Sequence, residues 1–494
     1  MPSSRRAGRE LEGRTAVPKP FIIGDRFVDD ADDVLVSTNP ADGSVNWEVC
    51  AAREDHVVEA VRVADEAWRS SGWRDLLPHE RARALARLAA AIEANAEELA
   101  TVQRRENGKL ARECSAQARA AAATFRYYAA VCETVDGDLT PPRGPYLSMC
   151  LYEPYGVVAA ITPFNSPLTL EAQKLAPALA AGNAVVLKPS EVTPSVAIEF
   201  ARLALDAGLP PGLVNVLPGR GDVAAALLEQ PAVRMVSFTG GTTTGHAVAA
   251  AAARRIIPAV LELGGKSPHI VFADADLDAA ADAVASGIFQ ASGQSCVAGS
   301  RVLVERPIAS RFVSALVERA RALRVGDPAS PDAQMGPLAS FAQRERVEAY
   351  VAAALAEGGR VLAGGDRPVG SAYDRGAYLL PTVIDGLAAG SRVLREEIFG
   401  PVLCIVRFDS EEDLVTEAND TPFGLACGIW TADYRRAWRV ARAIEAGTVW
   451  VNTYKELSIS TPFGGFKQSG LGREKGVLGL RSYQQAKSLY WGLA

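Results

Sequence analysis

The sequence predicts an α/β protein of two doubly wound parallel sheets, with a pair of strands set apart from both. Short β-branched runs alternate with helix-length runs from residue 156 to beyond the Gly/Thr loop at 240–245, the order a parallel sheet with crossover helices requires. A second cycle of the same kind starts at residue 270. The length, 494 residues with 48% hydrophobic and 22% charged positions, suits two or three globular domains.

Taken in order, residues 1–20 mix Arg5, Arg6 and Arg9 with Glu10 and Glu12 and read as a disordered arm. From 54 to 130 the chain reads as successive amphipathic helices. Val57, Ala60, Val61 and Ala64 recur at helical spacing, as do Leu85, Leu88, Ala89 and Ile92. A polar Gly/Pro-rich break follows at 136–145. Strands are expected at 156–161 and 184–187. The second leads through Lys188-Pro189-Ser190-Glu191 into a helix that Thr193 can cap and Pro194 can open. Gly208 and Pro210 mark its end. Strand 213–217, helix 222–229, strand 235–238 and a helix behind the Gly/Thr loop follow. In the second cycle strands fall at 270–272, 302–304, 402–408 and 448–451. Segments 148–153 and 485–490 read as strands outside both cores, a placement that often bridges subunits.

Composition narrows the function. A net charge of −6, a pI near 5.6 and arginines interspersed with acids, as at 78–100, argue against nucleic acid. The apolar run 175–187 is broken by Pro177 and by Gly182-Asn183 and falls short of a membrane helix. No apolar stretch follows the N-terminal arginines, so a secretory signal is not expected. The 7 cysteines are odd in number and widely spaced, with no CxxC, which argues against a disulfide framework or a thiolate zinc site. A cytoplasmic protein is expected.

In open α/β sheets, ligands bind beyond the carboxyl ends of the strands. Lys188 and Glu191 stand at one such end, and Gly240-Gly241-Thr242-Thr243-Thr244-Gly245 at another. There the glycines admit a pyrophosphate to the backbone and the next helix offers its N–H groups. Glu191 suits ribose hydroxyls and repels a 2′-phosphate, favouring NAD over NADP. The same residues also suit a tight turn and a cap, and Gly219-x-Gly221 is weaker still. Cys296 lies in the glycine-flanked turn Gly293-Gln294-Ser295-Cys296-Val297-Ala298-Gly299-Ser300, where backbone N–H groups can lower a thiol pKa and hold an oxyanion. A buried inert thiol is the commoner reading of a lone cysteine. Glu262, in Leu261-Glu262-Leu263-Gly264-Gly265-Lys266-Ser267-Pro268, is a candidate for desolvation and general-base work, or an exposed residue of an alternating strand. Asn165, in Thr162-Pro163-Phe164-Asn165-Ser166-Pro167, suits an oxyanion donor or a turn asparagine.

The segments 161–168, 187–191, 238–245, 261–268, 293–301, 396–401 and 462–474 resemble, in that order, the motif set of the aldehyde dehydrogenase superfamily. The resemblance runs from about Phe21 to Trp491. It implies an aldehyde dehydrogenase-like fold: an NAD-binding Rossmann-like domain over 21–135 and 154–264, a catalytic domain over 265–464, and an oligomerisation β-flap from 136–153 and 465–494. It implies that Cys296 is the nucleophile, Asn165 with the Cys296 N–H the oxyanion donor, and Glu262 the general base. Lys174 and Glu474 match a buried pair that helps move the base's proton. Lys188, Ser190 and Glu191 match the adenosine-ribose end, with Gly221 beside it. Phe238, Gly240, Gly241 and Gly245 match the pyrophosphate turn. Ile161, Thr162, Pro163, Phe164 and Leu263 complete the cofactor set, and Glu397 and Phe399 seat the nicotinamide ribose and ring. The implied chemistry is a Cys296 thiohemiacetal, hydride transfer, and a thioester hydrolysed by water that Glu262 activates, with no metal. Relatives that pass the acyl group to coenzyme A lack this base, so a free acid is implied.

The chain departs from the family pattern in places. Gly241 stands where a serine is common, Phe164 replaces a frequent tryptophan, and Ser166 a frequent phenylalanine. By the same resemblance Ser166, Gln173, Gln290, Ser295, Lys455, Leu457 and Phe463 line the substrate tunnel, with Asn452. This polar set with one cation points to an oxygenated aldehyde, semialdehyde or lactol, carrying a carboxylate if Lys455 faces the tunnel and not solvent. The segment 447–476 is similar to a bacterial catabolic branch acting on hydroxybutyrolactone-type intermediates. Betaine aldehyde is the nearest competitor, although the set shows little of the aromatic cage a quaternary ammonium favours. A cofactor-independent cysteine esterase is the other alternative. A homodimer or homotetramer is implied.

Overall fold

A computed structural model describes residues 17–30 and 32–493. Most of the arm expected over 1–20 lies outside the described residues. Residues 17–20 are described, and Lys19 is bridged to Val49, so the fold takes in residues that the expected arm included. Two strand pairs, Phe21–Ile23 with Arg26–Val28 and Val34–Thr38 with Val45–Cys50, precede the helices Glu54–Ser70, Pro78–Ala94, Ala96–Asn107 and Ala111–Thr134. Val57, Ala60, Val61 and Ala64 are all buried, as helical periodicity requires.

The first sheet runs, edge to edge, Gly470–Leu471, Ala259–Glu262, Val233–Thr239, Val157–Ile161, Ala184–Lys188, Val214–Val216. All neighbours are parallel except the first pair. Val157–Ile161 and Ala184–Lys188 are buried at every position, which explains why they read as unbroken apolar runs and not as alternating ones. The chain builds outward from Val157–Ile161 to Val214–Val216, then crosses back to Val233–Thr239. That reversal is a topological switch point, and the loops leaving Val157–Ile161 and Val233–Thr239 emerge side by side there.

The second sheet has the order Arg360–Ala363, Thr382–Asp385, Val402–Phe408, Arg301–Glu305, Pro268–Val271, Ala426–Trp430, Thr448–Val451, again parallel except at its first edge. A third, three-stranded sheet joins Gln484–Gly492, Tyr146–Pro154 and Asp138–Thr140. The segment 465–494 is therefore divided. Gly470–Leu471 extends the first sheet, and only the final strand lies with Tyr146–Pro154.

Local expectations also shift. The helix Ser195–Asp206 starts after Pro194, and Thr193 does not cap it; the buried Glu106 carboxylate accepts from the Ser195 N–H at 3.3 Å. The helix Pro167–Ala180, absent from the sequence reading, opens on a proline at its first turn and runs through Pro177, whose ring masks the helical signal. Among the described residues no helix is long and apolar enough to cross a membrane.

Candidate active site

The loops at the switch point face the Cys296 turn across a cavity of about 790 Å³. The turn follows the helix Leu277–Phe289, and its first three positions after Gln290 all have positive φ: Ala291 at 53°, Ser292 at 55° and Gly293 at 71°. Two non-glycine residues in this region cost backbone energy, so surrounding contacts must hold them. Ala291 N–H donates to the Glu113 carboxylate at 3.1 Å, Ser292 Oγ donates to Gly336 O at 2.8 Å, and Gln294 Oε1 accepts from Ala339 N–H at 3.0 Å. A Cβ on Gly293 would lie 2.1 Å from the Gly400 carbonyl oxygen, so the Cys296 turn rests directly on the loop that carries Glu397 and Phe399.

Burial pushes the Cys296 thiol up to about 12, reinforced by Glu397 and Glu262 and opposed by Lys475 and the Val297 N–H. At neutral pH the thiol is therefore protonated and needs a base. Asn165 Nδ2 donates to Gln294 O at 3.0 Å, which holds its amide beside Cys296. Glu262 ends the strand Ala259–Glu262, is only 4% exposed, and has no partner for either carboxylate oxygen among the described residues. It is buried on a strand that is buried from Val260 onward, so it is not an exposed residue of an alternating strand. Burial, then the nearby Glu474, raise its carboxyl well above the usual range, against Lys174, Arg473 and Lys475. Behind it Lys174 Nζ pairs with Glu474 at 2.7 Å and donates to Ser237 Oγ at 3.0 Å, and Ser237 bonds Tyr483 Oη at 2.8 Å.

Toward the first sheet the cavity reaches Gly240, Gly241 and Leu263, and on its other wall Glu397 and Phe399. The residues present suit a dinucleotide. Nothing lies within 4 Å of where a Gly241 Cβ would sit, at the N-terminus of the helix Thr242–Arg255, and the buried Thr239 and Thr242 hydroxyls have no partner there. A Cβ on Gly264 would lie 2.3 Å from the Glu397 carboxylate, which accepts from Gly265 N–H at 3.2 Å and which burial pushes up to about 7.

Of the expected cofactor residues, Pro163, Phe164, Gly240, Gly241, Leu263, Glu397 and Phe399 line this cavity, while Ile161, Thr162, Lys188, Ser190, Glu191, Gly221, Phe238 and Gly245 do not. Two of these are packing residues. The Phe238 ring occupies the space a Gly240 Cβ would need, and a Gly245 Cβ would sit 2.4 Å from the Leu263 side chain. Gly245 lies in the first turn of the helix Thr242–Arg255. Ser190 Oγ accepts from Val192 N–H, and Lys188 pairs with the exposed Glu191 at 3.5 Å. Ser166, Gln173, Gln290, Ser295, Lys455, Leu457 and Phe463 all line the cavity. Lys455 is half-buried where it lines the cavity, and desolvation lowers its ammonium to about 8. Asn452 does not line the cavity, because its side chain bridges the Thr431 N–H and carbonyl. Sequence reasoning missed Lys109, Glu113, Gln117 and Lys475, which also line it. The only local signals for them were the Gly108-Lys109 break between helices and the lysine next to Glu474.

Such a site, at the switch point of a doubly wound sheet, places the molecule among dinucleotide-dependent oxidoreductases that work through a thiol. Residues 27–489 match the aldehyde dehydrogenase family. A betaine aldehyde dehydrogenase of Cereibacter sphaeroides is 43% identical over 476 residues, 96% of this chain and 97% of that protein. A (Z)-2-((N-methylformamido)methylene)-5-hydroxybutyrolactone dehydrogenase of Acinetobacter baylyi is 40% identical over 473 residues, covering 95% and 96%. The NAD+ complex of a Bacillus cereus aldehyde dehydrogenase superposes with a TM-score of 0.94 at 38% identity, covering 97% of each chain. The chain belongs to the aldehyde dehydrogenase family and is an NAD-dependent enzyme that oxidises a small aldehyde through a catalytic cysteine.

Proposed function

We propose that the chain oxidises a polar, oxygenated aldehyde to its carboxylic acid, with Cys296 as nucleophile and Glu262 as base. The observation that carries this is the convergence of Cys296, Asn165 and the buried, unpartnered Glu262 on one cavity. Cys296 Sγ bonds to the aldehyde carbon as its proton leaves to a base, and the Asn165 amide and the Cys296 N–H hold the oxyanion. NAD, seated by Gly241, Glu397 and Phe399, supplies the hydride acceptor when bound. Glu262 then takes a proton from the water that attacks the thioester carbon, and Sγ departs to give the free acid. The Lys174–Glu474 pair behind Glu262 offers that proton a buried polar path.

Ser166, Gln173, Gln290 and Lys455, polar residues set in a largely apolar wall, support an oxygenated substrate, in line with the hydroxybutyrolactone dehydrogenase among the relatives. Relatives at 42–43% identity that are betaine aldehyde dehydrogenases favour a second reading, a trimethylammonium aldehyde. Lys109, Lys455 and Lys475 on the cavity wall repel such a cation, while Glu113, Glu262 and Glu397 on the same wall attract it, so the charge of the lining does not oppose this second reading. The three-stranded sheet, with Leu147, Leu151, Tyr490 and Trp491 exposed, is the surface on which two copies would pair.

The test is NADH formation by wild type and Cys296→Ala against aliphatic, aromatic, betaine and carboxylated aldehydes, each with NAD and NADP. Turnover by wild type alone is the expected outcome. Equal turnover by Cys296→Ala, or ester hydrolysis without cofactor in place of aldehyde oxidation, would overturn the proposal.

A further inference from the structure

Ser166 sits at the end of a one-way chain of hydrogen bonds. The Leu168 backbone N–H donates to Gln103 Oε1 at 3.1 Å, which leaves the Gln103 amide nitrogen to donate to Gln117 Oε1 at 2.8 Å. Gln117 must then turn its own nitrogen to Ser166 Oγ, at 3.2 Å. Because a main-chain N–H can only donate, the orientation of both amides follows from the first bond. Lys109 Nζ donates to the same Ser166 oxygen at 2.6 Å. A serine hydroxyl has two lone pairs and one proton. Both lone pairs are taken, its proton has no acceptor among the described residues, and Ser166 lines the cavity.

Two lysines and one glutamate set the charge around it, a net positive balance. Lys109 is buried and uses one of its three N–H donors on Ser166, and Lys455 shares the cavity wall. The nearby carboxylate, Glu113, is already engaged, with Oε1 accepting from Ala291 N–H and Oε2 from Leu110 N–H at 3.2 Å. What is left open is a half-buried hydroxyl donor that faces the cavity beside the Lys109 ammonium. A trimethylammonium group can accept no hydrogen bond.

We propose that Ser166, Lys109 and Lys455 form a subsite for a carboxylate carried by the aldehyde substrate, with the Ser166 hydroxyl as the oriented donor. This rests on the aldehyde-oxidation reading above and names the substrate class within it. Ser166 then sets specificity through a single proton, so the decisive comparison is Ser166→Thr with Ser166→Val, which share a shape and differ in the hydroxyl.

The measurement is kcat/KM for succinate semialdehyde, butyraldehyde and betaine aldehyde in wild type and both variants. Wild type is expected to prefer succinate semialdehyde to butyraldehyde by about tenfold or more, with that ratio kept by Ser166→Thr and lost by Ser166→Val. A ratio that changes equally in the two variants, or a wild-type preference for butyraldehyde or betaine aldehyde, overturns the subsite while leaving the oxidation itself standing. If none of the three aldehydes is oxidised, the oxidation reading has failed for this panel, and succinate binding by calorimetry decides the subsite independently. Binding by wild type and Ser166→Thr but not by Ser166→Val supports it. No binding by wild type, or equal binding by all three, overturns it.

Discussion

At Glu262 burial and the neighbouring Glu474 favour the protonated carboxyl, while Lys174, Arg473 and Lys475 favour the carboxylate. The result is a group protonated at pH values where a surface glutamate is already ionised, roughly above pH 4.3. As a base it works only when ionised, so kcat is expected to fall as pH drops through this raised value. Glu262→Gln should remove that limb and lower kcat by about 10²–10⁴. A wild-type kcat flat from neutral pH down through the ordinary carboxylate range would count against the role. The sign for stability is opposite. Because the folded pKa is raised, the folded state holds the proton more tightly, and the stability this contributes at low pH is lost as pH rises through the folded value. Strain is also concentrated at this scale. Of the non-glycine residues with positive φ, Ala291, Phe399, Lys455 and Lys475 all line the cavity. None of those backbone states is visible in a residue's identity.

Elements position these side chains through close backbone approaches. Gly293 is the sharpest case, with positive φ and a Gly400 oxygen where a Cβ would lie. Gly293→Ala forces the Cys296 turn away from the Glu397 loop, since neither backbone can yield easily. An overpacking cost of about 1–3 kcal/mol is expected, with Tm lower by a few degrees and kcat reduced by about tenfold or more. Parallel measurement of thermal unfolding and steady-state rates checks this, and an unchanged kcat would mean that the turn is not held by that contact. The elements themselves were legible wherever periodicity or β-branched runs were clean, as at Val157–Ile161 and Val402–Phe408. They were illegible where a tertiary partner replaced the local signal. Glu106 does the capping expected of Thr193, from 89 residues away.

For the whole molecule, one cavity collects residues from the N-terminal helices, the first sheet, the 290–297, 343–346 and 397–399 segments and the 455–475 stretch. Damage to any of these layers should reach the same site. The three-stranded sheet stands apart, with apolar side chains exposed on Gln484–Gly492 and Tyr146–Pro154. Replacing Leu151 and Trp491 by aspartate should convert the expected homo-oligomer to a smaller species in size-exclusion chromatography with light scattering. An unchanged mass would place the subunit contact elsewhere.

By itself the sequence determined the alternation of strands and helices, the two sheet cycles, and the motifs that present Asn165, Glu262 and Cys296. Those features rest on local periodicity and on residues close together in the chain. Only the tertiary structure decided the strand order that brings the three to one cavity and the contacts by which Lys174 and Tyr483 meet on Ser237 behind Glu262. It alone also showed that Phe238 and Gly245 pack and do not line the cavity, and that a donor chain ends on Ser166. Each depends on which surfaces meet when the helices and sheets dock, and side-chain polarity becomes directional only once burial has removed the water that would satisfy it otherwise.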